Sequence, residues 1–248
     1  MNTATAARAV RARLAQWPGD PDVGHVVLLD HSMRPDDRDV SGWLASSRRR
    51  GYQALRTGAL FPDSCPAFLR AGFHPIDELA LLEIDLAARR RLRGTSVLTT
   101  ARGAMGRNPT RRMRDGDLVE AAALDQRAFP SPWVNDVASL GAIRAATPSH
   151  RSRLIRRNGE VVAFAISGRA GRSGYLQRLA VDLALRRRGL GRLLVDDACA
   201  WMTRHGATRA VVNTAITNRA ALELYACLGF HRREETLMVL ERGLDATR

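Results

Sequence analysis

The 248-residue chain contains no lysine, so all 39 of its basic residues are arginine. This excludes the nucleotide-triphosphate loop, which needs a Gly-Lys pair. It also weakens the first reading of the charge. With 25 acids the formal balance is 39 − 25 = +14, which resembles a nucleic-acid binder. Total preference for arginine points as much to a GC-rich coding bias, and the arginines are scattered through both halves. Aromatic residues make up only 5% of the chain, too few for the stacking platforms of single-strand binders. Cysteine is scarce and odd in number: Cys65, Cys199 and Cys227 match no zinc spacing, so no metal is expected and the thiols are read as reduced. No stretch approaches the roughly 18–20 apolar residues of a membrane span, and the first twenty residues lack the apolar core of a secretory signal. A bacterial protein of the cytoplasm, with no membrane partner, is expected.

Residues 1–16 read as a short amphipathic helix stopped by Pro18-Gly19, and His25–Asp30 as a buried strand. Asp37–Arg50 has helical spacing, with Val40, Trp43 and Leu44 on one face and Gly51 behind it. Tyr52–Leu60 reads as a strand, Ser64–Arg70 as a short helix and Glu78–Leu86 as a strand. From Ala87 to Thr110 apolar periodicity fades among Arg, Gly, Thr and Ser. The expected domains are therefore residues 1–87, a linker at 88–110, and residues 111–248. The second begins with a helix over Asp115–Phe129, with Asp117 as cap and Glu120 three residues later. Arg151–Arg157 and Val161–Gly168 form a hairpin about Asn158-Gly159. Tyr175–Val181, Thr208–Ala215 and Glu235–Glu241 are strands, and Leu190–His205 and Asn218–Leu228 are helices. The class is mixed α/β.

The chain repeats itself. Arg204-His205-Gly206 leads a strand and then a helix ending at Leu228-Gly229-Phe230-His231; Arg49-Arg50-Gly51 leads a strand and then a helix ending at Ala71-Gly72-Phe73-His74. The glycines are 229 − 206 = 23 and 72 − 51 = 21 residues apart. The same order of helix, strand, helix and strand points to duplication.

The sharpest motif is Arg186-Arg187-Arg188-Gly189-Leu190-Gly191-Arg192, after a strand and before a helix. Glycines let the backbone approach a ligand, and the helix aims free N–H groups and its positive dipole end at it. A pyrophosphate suits such a turn, and arginines add charge-assisted bonds. The dinucleotide fingerprint is not met, because Leu194 stands where a third glycine belongs.

Leu179-Ala180-Val181, the Arg186/Gly189/Gly191 spacing, Asn218 through Tyr225 and Leu228-Gly229-Phe230 together resemble the GCN5-related N-acetyltransferase (GNAT) superfamily over about residues 111–242. Leu124–Trp133 is similar to the ribosomal-protein alanine N-acetyltransferase branch. The resemblance implies a central, mostly antiparallel mixed sheet flanked by helices, preceded by a truncated GNAT-like half-domain. It implies acetyl-CoA as cofactor, held by Leu179, Ala180, Val181, Arg186, Arg187, Arg188, Gly189, Leu190, Gly191, Arg192 and Asn218. Backbone N–H groups of Leu179 and Val181 would steady the charge on the acyl oxygen. Tyr225 would protonate the departing thiolate, and Phe129, Trp133 and Asn213 would meet the acceptor amine, on a small molecule or a protein N-terminus. Direct attack in a ternary complex is expected, because no cysteine has an obvious paired base.

One position departs from that branch. Its general base is a glutamate five residues before the helix asparagine, and here Asn213 stands there. Asp125, Asp182 or a water chain could serve instead. An enzyme without a strong base suits a weakly basic amine. An α-amino group of pKa about 7.7–8.0 is about one-tenth neutral at pH 7, whereas a lysine near 10.4 costs about 4.6 kcal/mol to deprotonate. The competing readings are a non-catalytic acyl-CoA-binding regulator and, opposed by composition, an arginine-rich nucleic-acid binder. In the first domain Phe68 stands where Tyr225 does, and Met33–Asp39 offers acids in place of glycines. That domain is expected to bind no CoA and to pack on the second, contributing to the acceptor pocket.

Overall fold

The computed structural model describes residues 10–30, 33–89 and 110–244. The expected linker at 88–110 therefore lies almost wholly outside the described residues. The chain forms two compact units: Met1–Ala80 with Ala215–Thr217 and Glu234–Arg248, and Leu81–Thr214 with Asn218–Arg233.

The first unit opens with a hairpin, not a helix. β1 (Ala12–Trp17) pairs antiparallel with β2 (Asp20–Leu28), and Gly19 takes φ +76° at the turn. Residues 1–9 of the expected helix are outside the described set. The rest alternates at period 2: Ala12 and Leu14 pack on one core while Arg13 and Trp17 face the other way. Pro18-Gly19, read as a helix stop, is the hairpin turn. The helix α1 (Asp37–Arg49) follows, then β3 (Ala54–Thr57), parallel to β2, then α2 (Pro66–Arg70) and β4 (His74–Asp85). The C-terminal part of the last strand returns antiparallel to β3, pairing Glu241 with Arg56. Val26, Val40, Leu44, Leu55, Phe68 and Leu240 form the core. Each fully buried side chain of this size contributes about 1.5–3 kcal/mol.

On the other side of this sheet lies a cluster that no local pattern announces. Trp17 meets His25 edge-on, with ring centroids 4.7 Å apart. The Arg56 guanidinium lies 4.4 Å over Trp17, and its Nε donates to Glu241 at 2.7 Å. Burial first, then the charges of Arg13 and Arg56, push the His25 pKa down to about 4.

The second unit follows the expected order. β5 (Thr110–Arg112), α3 (Leu118–Ala128) and α4 (Val137–Ala145) precede the strands β6 (Ser149–Arg157), β7 (Glu160–Ala170) and β8 (Ser173–Val181). Then come α5 (Leu190–Arg204), β9 (Arg209–Ala215), α6 (Arg219–Cys227) and the start of β10 (His231–Gly243), which from Glu234 on belongs to the first unit. β5 through β8 pair antiparallel, and β8 pairs parallel with β9. This is the mostly antiparallel mixed sheet that was expected. Asn158 and Gly159 both take positive φ, as the hairpin turn requires. Leu124, Leu140, Leu154, Phe164 and Ile166 are the core. Asp117 does not cap α3. It accepts from the Arg114 backbone at 2.7 Å and from the side chains of Arg111 and Arg156, each at 2.9 Å. Helix α4, capped by Asp136, falls where no motif was legible.

The repeat is visible in backbone geometry. Gly51, Gly72, Gly206 and Gly229 all follow a helix with φ between +78° and +88°. Each helix closes with the same pair of bonds: Gly72 to Leu69 and Phe73 to Phe68 in one unit, Gly229 to Ala226 and Phe230 to Tyr225 in the other. The two units thus share the same helix endings and the same order of helix, strand and helix around them.

Candidate active site

The site is set by the point where β9 leaves β8. These strands pair only over Ser173–Tyr175 with Arg209–Val211, so among the described residues Leu176–Val181 has no ladder partner on that side. A one-residue bulge at Gln177 shifts the register against β7, from Ile166 opposite Arg178 to Ser167 opposite Leu176. The bulge redirects side chains. Before it, Gly174 faces Met202 on α5, so tightly that an added Cβ would lie 2.5 Å from the sulfur. After it, Arg178 reaches α3, Ala180 enters the core with it, and Leu179 and Val181 lie against Gly191 at the start of α5.

Backbone direction follows by alternation. The Asp182 N–H donates to Val162 at 2.9 Å, so Ala180, paired with Phe164, also turns its polar groups toward β7. Leu179 and Val181 then turn theirs into the gap. Ala180, expected among the cofactor contacts, instead serves the ladder and the core, at 1% exposure.

At the open end of the strip, Asp182 caps a short turn, Leu183–Leu185, and the basic loop follows. Arg187 and Gly189 are both left-handed, at φ +62° and +80°. Non-glycine residues adopt that conformation at a cost, and such strain gathers at ligand sites. Gly189 is the N-cap of α5 and gives no side chain to the orphan amides of the first turn. A Cβ on Gly191 would lie 3.1 Å from Leu224, so glycine lets α5 and α6 approach. Arg186, Arg187, Arg188 and Arg192 are exposed around this N-terminus. Arg186 donates to the Ala128 carbonyl at 3.0 Å, and Arg187 pairs with Glu223 at 2.8 Å. Open amides, a positive dipole end and exposed guanidinia fit a diphosphate. The matching helix of the first unit is closed: the Asp36 carboxylate accepts from the amides of Arg38 (2.9 Å) and Asp39 (2.8 Å), and Asp39 returns the bond.

Asn218 caps α6. Its Oδ1 accepts from Ala221 at 3.2 Å and its Nδ2 donates to Thr214 at 3.1 Å, so its first duty is to the helix. Tyr225 is 4% exposed and lies 5.6 Å from Phe230, centroid to centroid. Burial pushes its phenol well above the usual range, while the positive charge of Arg178 acts in the opposite direction. The phenol keeps its proton throughout the physiological range.

Asn213 is exposed on β9. Asp125 does not fill the role of base. It is completely buried, and its oxygens are taken by Arg178, at 2.7 Å to each, and by the Asn135 amide at 2.7 Å. Phe129 lies under the same guanidinium at 3.5 Å, and the Trp133 carbonyl accepts from it at 2.8 Å. Sequence reasoning did not single out Arg178; its signal is that it is the one charged residue of β8. None of the three cysteines is in a disulfide; Cys65 and Cys199 are buried and Cys227 is exposed.

The sequence model of the Acetyltransferase (GNAT) family matches residues 118–230. The [Ribosomal protein bS18]-alanine N-acetyltransferase of Escherichia coli K12 is 31% identical over 116 residues, which are 46% of this chain and 75% of that protein. The chain belongs to the GNAT acetyltransferase family. N-alpha-acetyltransferase 30 of Xenopus laevis is 42% identical over 77 residues, 31% of this chain and 28% of that protein, so this chain spans little more than a quarter of it. Among solved structures, a tandem GNAT protein from the clavulanic acid biosynthesis pathway superposes with a TM-score of 0.66 at 15% identity, covering 97% of this chain and 80% of that one. A GCN5-related N-acetyltransferase from Kribbella flavida gives 0.55 at 20% identity, over 94% and 90%. This GNAT chain thus shares its fold, over nearly its whole length, with a tandem GNAT protein.

Proposed function

We propose that the second unit of this GNAT protein is an N-acetyltransferase that moves an acetyl group from acetyl-CoA to the α-amino group of a peptide or protein. The observation that carries the reading is the parting of β8 and β9, which leaves the Leu179 and Val181 backbone facing a gap beside the open N-terminus of α5. Acetyl-CoA supplies the activated thioester. Arg186, Arg188, Arg192 and the amides of Gly189–Arg192 hold its diphosphate. The Leu179 and Val181 amides bond the pantetheine arm and the acyl oxygen, where negative charge grows as the amine attacks. Tyr225, protonated because it is buried, gives its proton to the leaving sulfur. With Asn213 in place of a carboxylate and Asp125 engaged, the acceptor must lose its proton easily, which favours an α-amine over a lysine side chain. The names of the bS18-alanine and N-alpha relatives agree with that choice.

The reading is tested by CoA release from acetyl-CoA with unblocked peptides and with lysine side-chain amines. Peptide α-amines should be preferred, and Tyr225→Phe should lower kcat by about a hundredfold or more with CoA affinity unchanged. Preference for lysine side chains would refute the acceptor class. Asn213 also favours a second reading, an acyl-CoA-binding regulator without turnover. CoA binding without release from any amine would select it.

A further inference from the structure

We propose that Arg178 is a positioning residue, which through Asp125 fastens segment 129–135 to the unpaired end of β8 and so fixes the wall against which the acceptor amine is presented. The inference rests on the acetyltransferase reading above and deepens it.

The geometry has four parts. Asp125, on the last turns of α3, has no solvent exposure, and such a carboxylate is tolerated only when its oxygens are filled. Arg178 fills them with a two-pronged bond from Nε and Nη2, both at 2.7 Å. The same Nη2 donates to the Trp133 carbonyl at 2.8 Å. The Asn135 amide donates to Asp125 Oδ1 at 2.7 Å, so the segment is held at Trp133 by the cation and at Asn135 by the anion. Phe129 closes the face of the guanidinium at 3.5 Å. All these contacts depend on the bulge at Gln177, since without the extra residue Arg178 would face α5 with Gly174 and Leu176.

The consequence for the reaction follows from chain continuity. Arg178 immediately precedes Leu179, whose backbone faces the gap. The acyl-holding strip and the segment carrying Phe129 and Trp133 are thus tied to one rigid point. The pair is internally neutral, so it does not itself attract an anion; its work is registration. A planar fork is needed, because an ammonium cannot make the two-pronged bond, reach the carbonyl and lie flat on Phe129 together.

The test uses the full chain as wild type, as Arg178→Lys, and as the double variant Asp125→Asn/Arg178→Gln, which leaves no lone buried charge. Acceptor KM and kcat are measured with a panel of unblocked hexapeptides differing in the first residue, CoA affinity by calorimetry, and amide hydrogen exchange in peptides covering 118–124 and 129–136. In both variants acceptor KM should rise about tenfold with kcat within about threefold and CoA Kd within about twofold. Exchange should quicken about tenfold at 129–136 and not at 118–124. A merely structural pair would weaken CoA binding and acceptor binding together, and that result overturns the proposal. So does an unchanged acceptor KM. If the wild-type chain acetylates no peptide, the acetyltransferase reading fails by itself. The exchange measurement then decides the clamp, and unchanged exchange at 129–136 overturns it.

Discussion

Acid should loosen the first unit through one residue, His25. In the folded chain its pKa is down at about 4, because the ring is buried against Trp17 and faces the charges of Arg13 and Arg56. In the unfolded chain it returns to about 6.5. Between these values the unfolded state binds a proton that the folded state refuses, so stability rises with pH across that window and falls as acid is added. The contribution is absent above about pH 6.5 and fully felt near pH 4. A difference of about 2.5 units at 1.36 kcal/mol each amounts to about 3 kcal/mol, a large share of the stability of an ordinary domain. Carboxylates titrate at the lower end of the window, so the comparison is with His25→Leu, which keeps an apolar group in the strand and removes the proton site. Hydrogen exchange at β1 and β2, read at half-unit steps from pH 7 to 4 and corrected for intrinsic rates, gives the opening free energy in each protein. The wild-type curve should fall below that of the variant by about 3 kcal/mol over the window. Parallel curves would refute the reasoning.

Two further outcomes follow. Asp36→Ala should cost the first unit about 1 kcal/mol, the usual worth of an N-cap, while calorimetry still finds one CoA per chain; a second binding event would contradict the assignment of the diphosphate to α5 alone. Arg188→Gln, at an exposed position, should weaken CoA about tenfold and steepen none of the thermal unfolding; undiminished affinity in low salt would remove the loop from the cofactor site.

Much of this was legible along the chain because the decisive features are local. A glycine closing a helix announces itself by its neighbours, and Gly51, Gly72, Gly206 and Gly229 all adopt the left-handed backbone their positions demanded. The Arg186–Arg192 turn and the Asn158-Gly159 hairpin are likewise short-range signals. Failures came where distant partners decide. Ala12–Trp17 reads equally as a helix until β2 offers a ladder. Asp117 looked like a cap but was claimed by Arg156, 39 residues away. Arg178 and Asp125, 53 apart, have no pattern linking them until a bulge turns one toward the other. Asn218 was expected at the cofactor, and its contacts are those of a helix cap.

The sealed end of α1 bears on what that helix can bind. Two acids now occupy the space that an anion would take, and they reinforce each other through a reciprocal pair of bonds. Removing either leaves a frayed helix and a residual negative charge, so no single substitution gives this helix end back to an anion. The strand beside it pairs one residue further than its counterpart: β3 follows β2 over four residue pairs, through Val26, where β9 leaves β8 after three, at Tyr175.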